Sequence, residues 1–145
     1  MLIAHVLREK GATVHTLPIG ATLEDAAREL DQRRVGSLVV VDENGAIAGV
    51  FSERDLVREI ASVGCAALSE THVSHAMTRN VITAHPDETI DEGLARMTDR
   101  RVRHLPVVDA SGGLIGIVSI GDLVKHRIAA AEAEAAAMQA YIAAH

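Results

Sequence analysis

Tryptophan is absent, and one Phe, one Tyr, one Cys and three Pro are spread over 145 residues. Without aromatic platforms the chain is poorly equipped to stack single-stranded bases. With 14 basic and 20 acidic residues the formal charge is −6, which argues against general affinity for nucleic acid. The lone Cys65 cannot close an internal disulfide. It follows a glycine, nothing activates its thiol, and nothing suggests an oxidising compartment, so the expected location is cytoplasmic. No stretch approaches the ~18 uninterrupted apolar residues of a membrane span. Met1 to Lys10 lacks a signal-peptide core, because Arg8, Glu9 and Lys10 follow too soon. Paired carboxylates, a nucleophile with its base, and a metal-ligand set are all missing by spacing, so no catalytic residue and no metal site are expected. His72 and His75 sit at i, i+3, but zinc needs three or four ligands, and the pair reads as solvated.

What the chain does have is a repeat. A shift of 67 positions lays segment 14–57 on 81–124 without a gap, with 16 identities over 44 residues. Arg33-Arg34-Val35 falls on Arg100-Arg101-Val102, Gly49 on Gly116, and Ser52 and Asp55 on Ser119 and Asp122. Such a unit is one supersecondary block that buries its face against its neighbour, so two copies imply a pseudo-two-fold module offering similar chemistry twice. The core must be built from Val, Ile, Leu and Ala.

Within each copy the pattern predicts β-α-β-β-α. Leu23, Ala26, Ala27 and Leu30 share a helical face, as do Ile90, Gly93, Leu94 and Met97, with Thr22 and Thr89 as N-caps. The β-branched run Ser37 to Asp42 turns at Glu43-Asn44-Gly45 into a returning strand, and His104 to Asp109 turns at Ser111-Gly112-Gly113. A short leading strand is expected near Val14 and near Val81. Val73 to Met77 matches Ile3 to Leu7 at a shift of 70, which predicts a short helical lead-in for each repeat. The organisation expected from chain order is a first unit over 1–61, a connector over 62–72, a second unit over 73–128 and a helical tail over 129–145. From Asp122 to about Ala144 there is no Pro and no further Gly, a run of high helix propensity about 35 Å long. Leu123, Ile128, Met138 and Ile142 form either a partner-facing stripe or part of a solvated helix.

The sharpest local feature is Gly-x-x-Ser-x-x-Asp, at Gly49 to Asp55 and again at Gly116 to Asp122. A strand running into a helix exposes unpaired amides that attract anions; the serine can reach a phosphate and the aspartate can accept from vicinal ribose hydroxyls. The same spacing also suits a capping box, in which both side chains serve the backbone alone. Only the first turn adds a cation, Arg54, whereas the second central strand begins Arg103-His104 where the first has Gly36-Ser37. Arg54 and Arg103 are expected either to bind phosphate, making the two sites unequal, or to form surface salt bridges. His104 is either a nucleotide contact or a half-buried structural histidine. Arg33-Arg34 and Arg100-Arg101 suit helix C-termini, with a phosphate role open.

Together, the Val73–Met77 lead-in with Thr78, the strand Arg103-His104-Leu105-Pro106-Val107-Val108-Asp109 and the two serine–aspartate turns resemble CBS domains, named after cystathionine β-synthase. The pair resembles a Bateman module from about Ile3 to Ile128. The resemblance implies an α/β (α+β) fold of two pseudo-symmetric units packed sheet to sheet, with a long C-terminal helix. It further implies clefts that hold AMP, ADP, ATP, S-adenosylmethionine or NAD(H), and a homodimer. Carried onto this chain, Asp55 and Asp122 would hold ribose hydroxyls, and Ser52 and Ser119 would touch ribose or phosphate. Thr16, Val81, Thr83, Ser37, Arg103, His104 and Pro106 would frame the adenine. The function so implied is a non-catalytic sensor of AMP, ADP or ATP, requiring no cofactor and acting on a regulated protein in trans. A sensor of NAD(H) or S-adenosylmethionine, or a ligand-free interaction module, are the alternatives.

Overall fold

The computed structural model of the protein describes residues 1–11 and 13–145. The chain runs α1 (Ile3–Lys10), β1 (Thr16–Pro18), α2 (Leu23–Arg33), β2 (Ser37–Val41), β3 (Ile47–Ser52) and α3 (Glu53–Val63). Two single 3₁₀ turns at Cys65–Ala67 and Val73–His75 lead to α4 (Ile90–Arg100), β4 (His104–Val108), β5 (Leu114–Ser119) and α5 (Ile120–Ala144). One sheet has the order β1-β2-β3 and the other pairs β4 with β5. Two compact units result, one formed by Val14–Val81 and the other by Met1–Thr13 with Ile82–His145.

The helices start where the threonines and serines stand. Thr22 Oγ1 accepts the Asp25 amide at 3.1 Å and Thr89 Oγ1 accepts the Glu92 amide at 3.1 Å, with Asp25 and Glu92 bonding back to the threonine amides. Each box satisfies two otherwise unpaired helix donors. Both helices end on an arginine in the left-handed region, Arg34 at φ 53° and Arg101 at φ 54°. The hairpins repeat too. Asp42 Oδ1 accepts the amides of Asn44 and Ala46, and Asp109 Oδ1 accepts those of Ser111 and Gly113, around glycines with φ 80° and 87°. The repeated aspartates 42 and 109 are therefore turn builders.

The compact units do not follow chain order, because each lead-in is buried with the other repeat's core. Ile3, Val6 and Leu7 of α1 are buried with Ile90, Met97, Leu105, Val107, Val118 and Leu123 of the second repeat. Val73 and Met77 are buried with Leu17, Leu23, Leu30, Leu38, Val40 and Phe51 of the first. The repeated glycines make room for this. A Cβ on Gly116 would lie 2.6 Å from Leu7 Cδ2, and one on Gly49 would lie 2.7 Å from Met77 Sδ and 2.8 Å from the Thr78 carbonyl oxygen. Leu7 and Met77 are the residues matched at a shift of 70. Each lead-in thus seats its equivalent residue on the equivalent glycine.

The leading strand expected near Val81 does not form; among the described residues a single parallel bridge, Ala84 to Val107, stands in its place. Two prolines explain this. In the first repeat β1 is held by the Val39 amide donating to His15 O and by the Ile19 amide donating to Val41 O. Their repeat equivalents are Pro106 and Pro86, which have no N–H to donate. What survives is the pair of bonds from Ala84 N to Pro106 O and from Val108 N to Ala84 O, both 2.9 Å. The second lead-in is likewise reduced to a 3₁₀ turn at Val73–His75, whereas the first is a full helix.

The tail helix α5 spans 25 residues. Of its expected stripe, Leu123 belongs to the core, while Ile128, Met138 and Ile142 are exposed together with Tyr141.

Candidate functional site

Both serine–aspartate turns fold as capping boxes at the seam between a strand and a helix. In the first, the Ser52 amide donates to Asp55 Oδ2 at 2.9 Å, the Ser52 hydroxyl donates to the same oxygen at 3.1 Å, and the Asp55 amide returns to Ser52 Oγ at 3.4 Å. In the second, the Ser119 amide donates to Asp122 Oδ2 at 2.8 Å and the Asp122 amide to Ser119 Oγ at 3.1 Å. The capping role is therefore real in both copies. It uses one carboxylate oxygen of each aspartate, Oδ2, and leaves Oδ1 outside the cap. Asp55 Oδ1 faces only the exposed Arg58 guanidinium, at 3.3 Å. Asp122 Oδ1 carries no hydrogen bond among the described residues.

The sheet register brings a second residue to each turn. Ser37 pairs directly with Ser52, and His104 pairs directly with Ser119. Directly paired residues place their side chains on one face of the sheet. Ser37 is only 7% exposed, and its hydroxyl has no hydrogen-bond partner. A buried hydroxyl left unpaired costs about 1–3 kcal/mol, which makes this atom the clearest unsatisfied polar group beside either turn. In the second copy the half-buried His104 ring takes the corresponding place.

Electrostatics differ between the turns. Lys10, the last residue of α1, reaches Asp122 Oδ2 at 2.5 Å and the Ile117 carbonyl at 2.9 Å. Burial pushes the Asp122 carboxyl up, but the hydrogen bond from Lys10, the Ser119 amide and the Lys10 charge outweigh it. The net result is a carboxyl below its ordinary range. Asp122 is accordingly ionised at neutral pH and presents acceptors only.

The remaining expected residues are distributed as follows. Thr16 opens β1 opposite Val39, two residues along β2 from Ser37, and is exposed. Arg54 is exposed in the first turn of α3, and Arg103 is exposed just before β4, where its carbonyl accepts the Ile120 amide at 2.8 Å. Neither arginine makes an ion pair among the described residues. Thr83 is half-buried, its carbonyl held at 2.9 Å by Arg96, and Pro106 is buried two residues beyond His104. Val81 closes the unit formed by 14–81 and so does not share a compact unit with Thr83. The structure gathers Ser37, Ser52 and Asp55 at one turn and His104, Ser119 and Asp122 at the other. Sequence reasoning missed Lys10, which lies 112 positions from its partner and has no lysine at its repeat position, and Arg58, whose i+3 spacing from Asp55 was a usable signal.

His72 and His75 are exposed, and among the described residues no group of three or more His, Cys, Asp or Glu gathers around a point. No helix among them is long and apolar enough to cross a membrane.

Two helix–hairpin–helix repeats, the first with a leading strand and the second with a single bridge in its place, each carry a serine–aspartate turn before the last helix and define a CBS-pair fold. The CBS domain model matches residues 11–62 and 73–129, and the chain belongs to the CBS domain family. A mitochondrial CBS domain-containing protein of Arabidopsis thaliana, CBSX3, is 36% identical over 97% of this chain and 71% of its own length. Against several larger curated relatives the chain spans only 21–23% of their length. Among solved structures, a CBS-domain containing protein from Agrobacterium tumefaciens superposes with a TM-score of 0.83 at 40% identity, covering 87% of this chain and 92% of that one. The CBS domain pair of protein MJ0100, in complex with 5′-methylthioadenosine and S-adenosyl-L-methionine, gives 0.76 at 28% identity over 86% and 94%. CBSX2, in complex with AMP, gives 0.67 at 26% over 80% and 88%. The fold is generally regulatory and non-catalytic.

Proposed function

We propose that the protein is a non-catalytic sensor that binds an adenosine-containing ligand, AMP, ADP or ATP before others, at its serine–aspartate turns. The bound state is passed to a regulated protein in trans, and the module works as a homodimer. One observation carries this reading: the buried, unpaired Ser37 hydroxyl on the sheet face of the Ser52–Asp55 turn. A polar ligand supplies the partner that this atom lacks, and Asp55 Oδ1, which the cap does not use and, among the described residues, only the exposed Arg58 meets, accepts a ribose hydroxyl. Ser52 keeps its capping bonds and Arg54 supplies charge to phosphate. Similar solved structures that hold AMP, or S-adenosyl-L-methionine with 5′-methylthioadenosine, support the ligand class. They also keep S-adenosylmethionine and, through its shared adenosine half, NAD(H) as alternatives to an adenylate.

A ligand-free interaction module is the second reading, favoured by the capping boxes closing on themselves and by the exposed Ile128, Met138, Tyr141 and Ile142 of α5. A thermal-shift series at millimolar AMP, ADP, ATP, GTP, NAD, NADH and S-adenosylmethionine separates the two. Free ligand at 100 times its dissociation constant adds about 2.7 kcal/mol of stability, a shift of several degrees, expected for adenine compounds and not for GTP. Protein free of co-purified nucleotide that responds to none of them refutes the sensor.

A further inference from the structure

One of the contacts that distinguish the two turns is not dictated by the repeat. In the first copy the Val50 carbonyl accepts the Thr78 backbone amide at 2.9 Å. Its repeat equivalent, the Ile117 carbonyl, accepts the Lys10 ammonium instead, also at 2.9 Å. That ammonium also holds Asp122, on the oxygen that already receives the Ser119 amide. An ammonium has three donors. Two are committed here, and the third has no acceptor among the described residues, on a side chain that is 30% exposed. The last turn of α1 is fixed from a second point, because Glu9 Oε2 lies 2.7 Å from Nε2 of the buried His126. Lys10 is therefore a positioned cation with one open donor. It stands beside a carboxylate whose Oδ1 stays available. Arg58, its counterpart at Asp55, is 75% exposed and has no second anchor among the described residues.

We propose that Lys10 is a specificity residue that makes the Asp122 site select adenosine ligands bearing a phosphate over uncharged adenosine and over the cationic sulfonium of S-adenosylmethionine. The proposal rests on the sensor reading and sharpens it to a ligand charge class at one of the two turns. The ammonium leaves ribose its oxygen on Asp122 and offers the third N–H to an anionic oxygen, a charge-assisted bond of the stronger kind. A ligand cation brought to the same place meets a fixed like charge.

Isothermal titration of the 145-residue chain carrying Asp55→Ala isolates the Asp122 turn, with AMP, adenosine and S-adenosylmethionine as probes. With Lys10 in place, AMP is expected to bind about tenfold or more tightly than adenosine, and S-adenosylmethionine more weakly than either. Lys10→Met is expected to bring the AMP-to-adenosine ratio close to one, and Lys10→Arg to restore most of it. Because the ratio is taken within each protein, a modest loss of stability does not blur it. An unchanged ratio in Lys10→Met overturns the proposal. So does tighter AMP binding in that variant, which makes Lys10 a plug that ligand must displace. Binding to the unmutated chain that vanishes with Asp55→Ala alone removes this proposal and leaves the sensor reading standing at Asp55. No binding of any probe to the unmutated chain removes both.

Discussion

Gly49 and Gly116 occupy equivalent positions, yet alanine should cost more at the first. A Cβ at 49 would lie 2.8 Å from the backbone oxygen of Thr78 as well as 2.7 Å from Met77 Sδ. The sulfur can swing aside, but the oxygen cannot. It belongs to a two-bond bridge, Val50 N to Thr78 O at 3.0 Å and Thr78 N to Val50 O at 2.9 Å. Relief requires the strand and lead-in to part. Overpacking of this kind costs about 1–3 kcal/mol, and loosening the bridge adds about 1 kcal/mol. At 116 the clash is with the Leu7 side chain alone, at 2.6 and 3.0 Å, so a rotamer change limits the cost to about 1–2 kcal/mol. Differential scanning calorimetry of the two variants should show Gly49→Ala melting lower than Gly116→Ala, each kcal/mol being about 2–4 °C. Adding Leu7→Val should recover part of the Gly116→Ala loss, whereas Met77→Leu should do little for Gly49→Ala. A Gly49→Ala protein as stable as wild type, or less damaged than Gly116→Ala, would refute the exchanged-lead-in packing. The glycine stands three residues before Ser52, so the same variant should also weaken ligand at the first turn.

Asp55→Ala takes the acceptor from the Ser52 amide and hydroxyl, and should cost about 1–2 kcal/mol without any ligand present; urea melts of the apo protein check this. An apo stability equal to wild type would mean the box seen here contributes nothing. Arg34→Gly and Arg101→Gly relieve side chains held in the left-handed region and should each stabilise by about 0.5–1 kcal/mol. A loss in both would mean that those side chains make contributions larger than their backbone strain. The Glu88 carboxyl is held below its ordinary range, first by the hydrogen bond from Arg96 and against a smaller burial effect. Asp122 is depressed as well. A depressed folded-state pKa means that the unfolded chain binds more protons. The contribution is therefore present above about pH 4–4.5, the unfolded range, and is lost as pH falls through the folded values. Glu88→Gln should flatten the loss of stability between pH 5 and pH 2 (about that window), and an identical acid profile would contradict the pairing.

Most of the architecture was legible because the repeat doubles every local signal. Thr22 and Thr89, Ser52 and Ser119, and Asp42 and Asp109 each sit at fixed offsets from apolar periodicity, and local rules act on such short separations. The proposed site residues Ser37, Ser52 and Asp55 lie together because strand pairing and capping are both local in this hairpin-and-helix unit. What could not be read was set by long-range packing. The exchange of α1 for the second lead-in depends on which glycine each leucine or methionine meets, and Lys10 finds Asp122 across 112 positions. The missing strand near Val81 was readable in principle, since Pro86 and Pro106 replace donors present in the first copy. The repeat alignment carries that information only once the pairing of the first copy is known.

The central claim is that a carboxylate oxygen left over from helix capping holds the ribose diol. Equilibrium dialysis of AMP against its 2′,3′-dideoxy analogue, on wild type and on Asp55→Asn/Asp122→Asn, tests it most directly. Asparagine keeps one carbonyl oxygen for the serine amide but replaces the ribose-facing oxygen with a donor. Wild type should favour AMP by about tenfold or more, and the double variant should bind both weakly and about equally. Equal binding of the two nucleotides by wild type would contradict the account, leaving Asp55 and Asp122 as helix caps and nothing more.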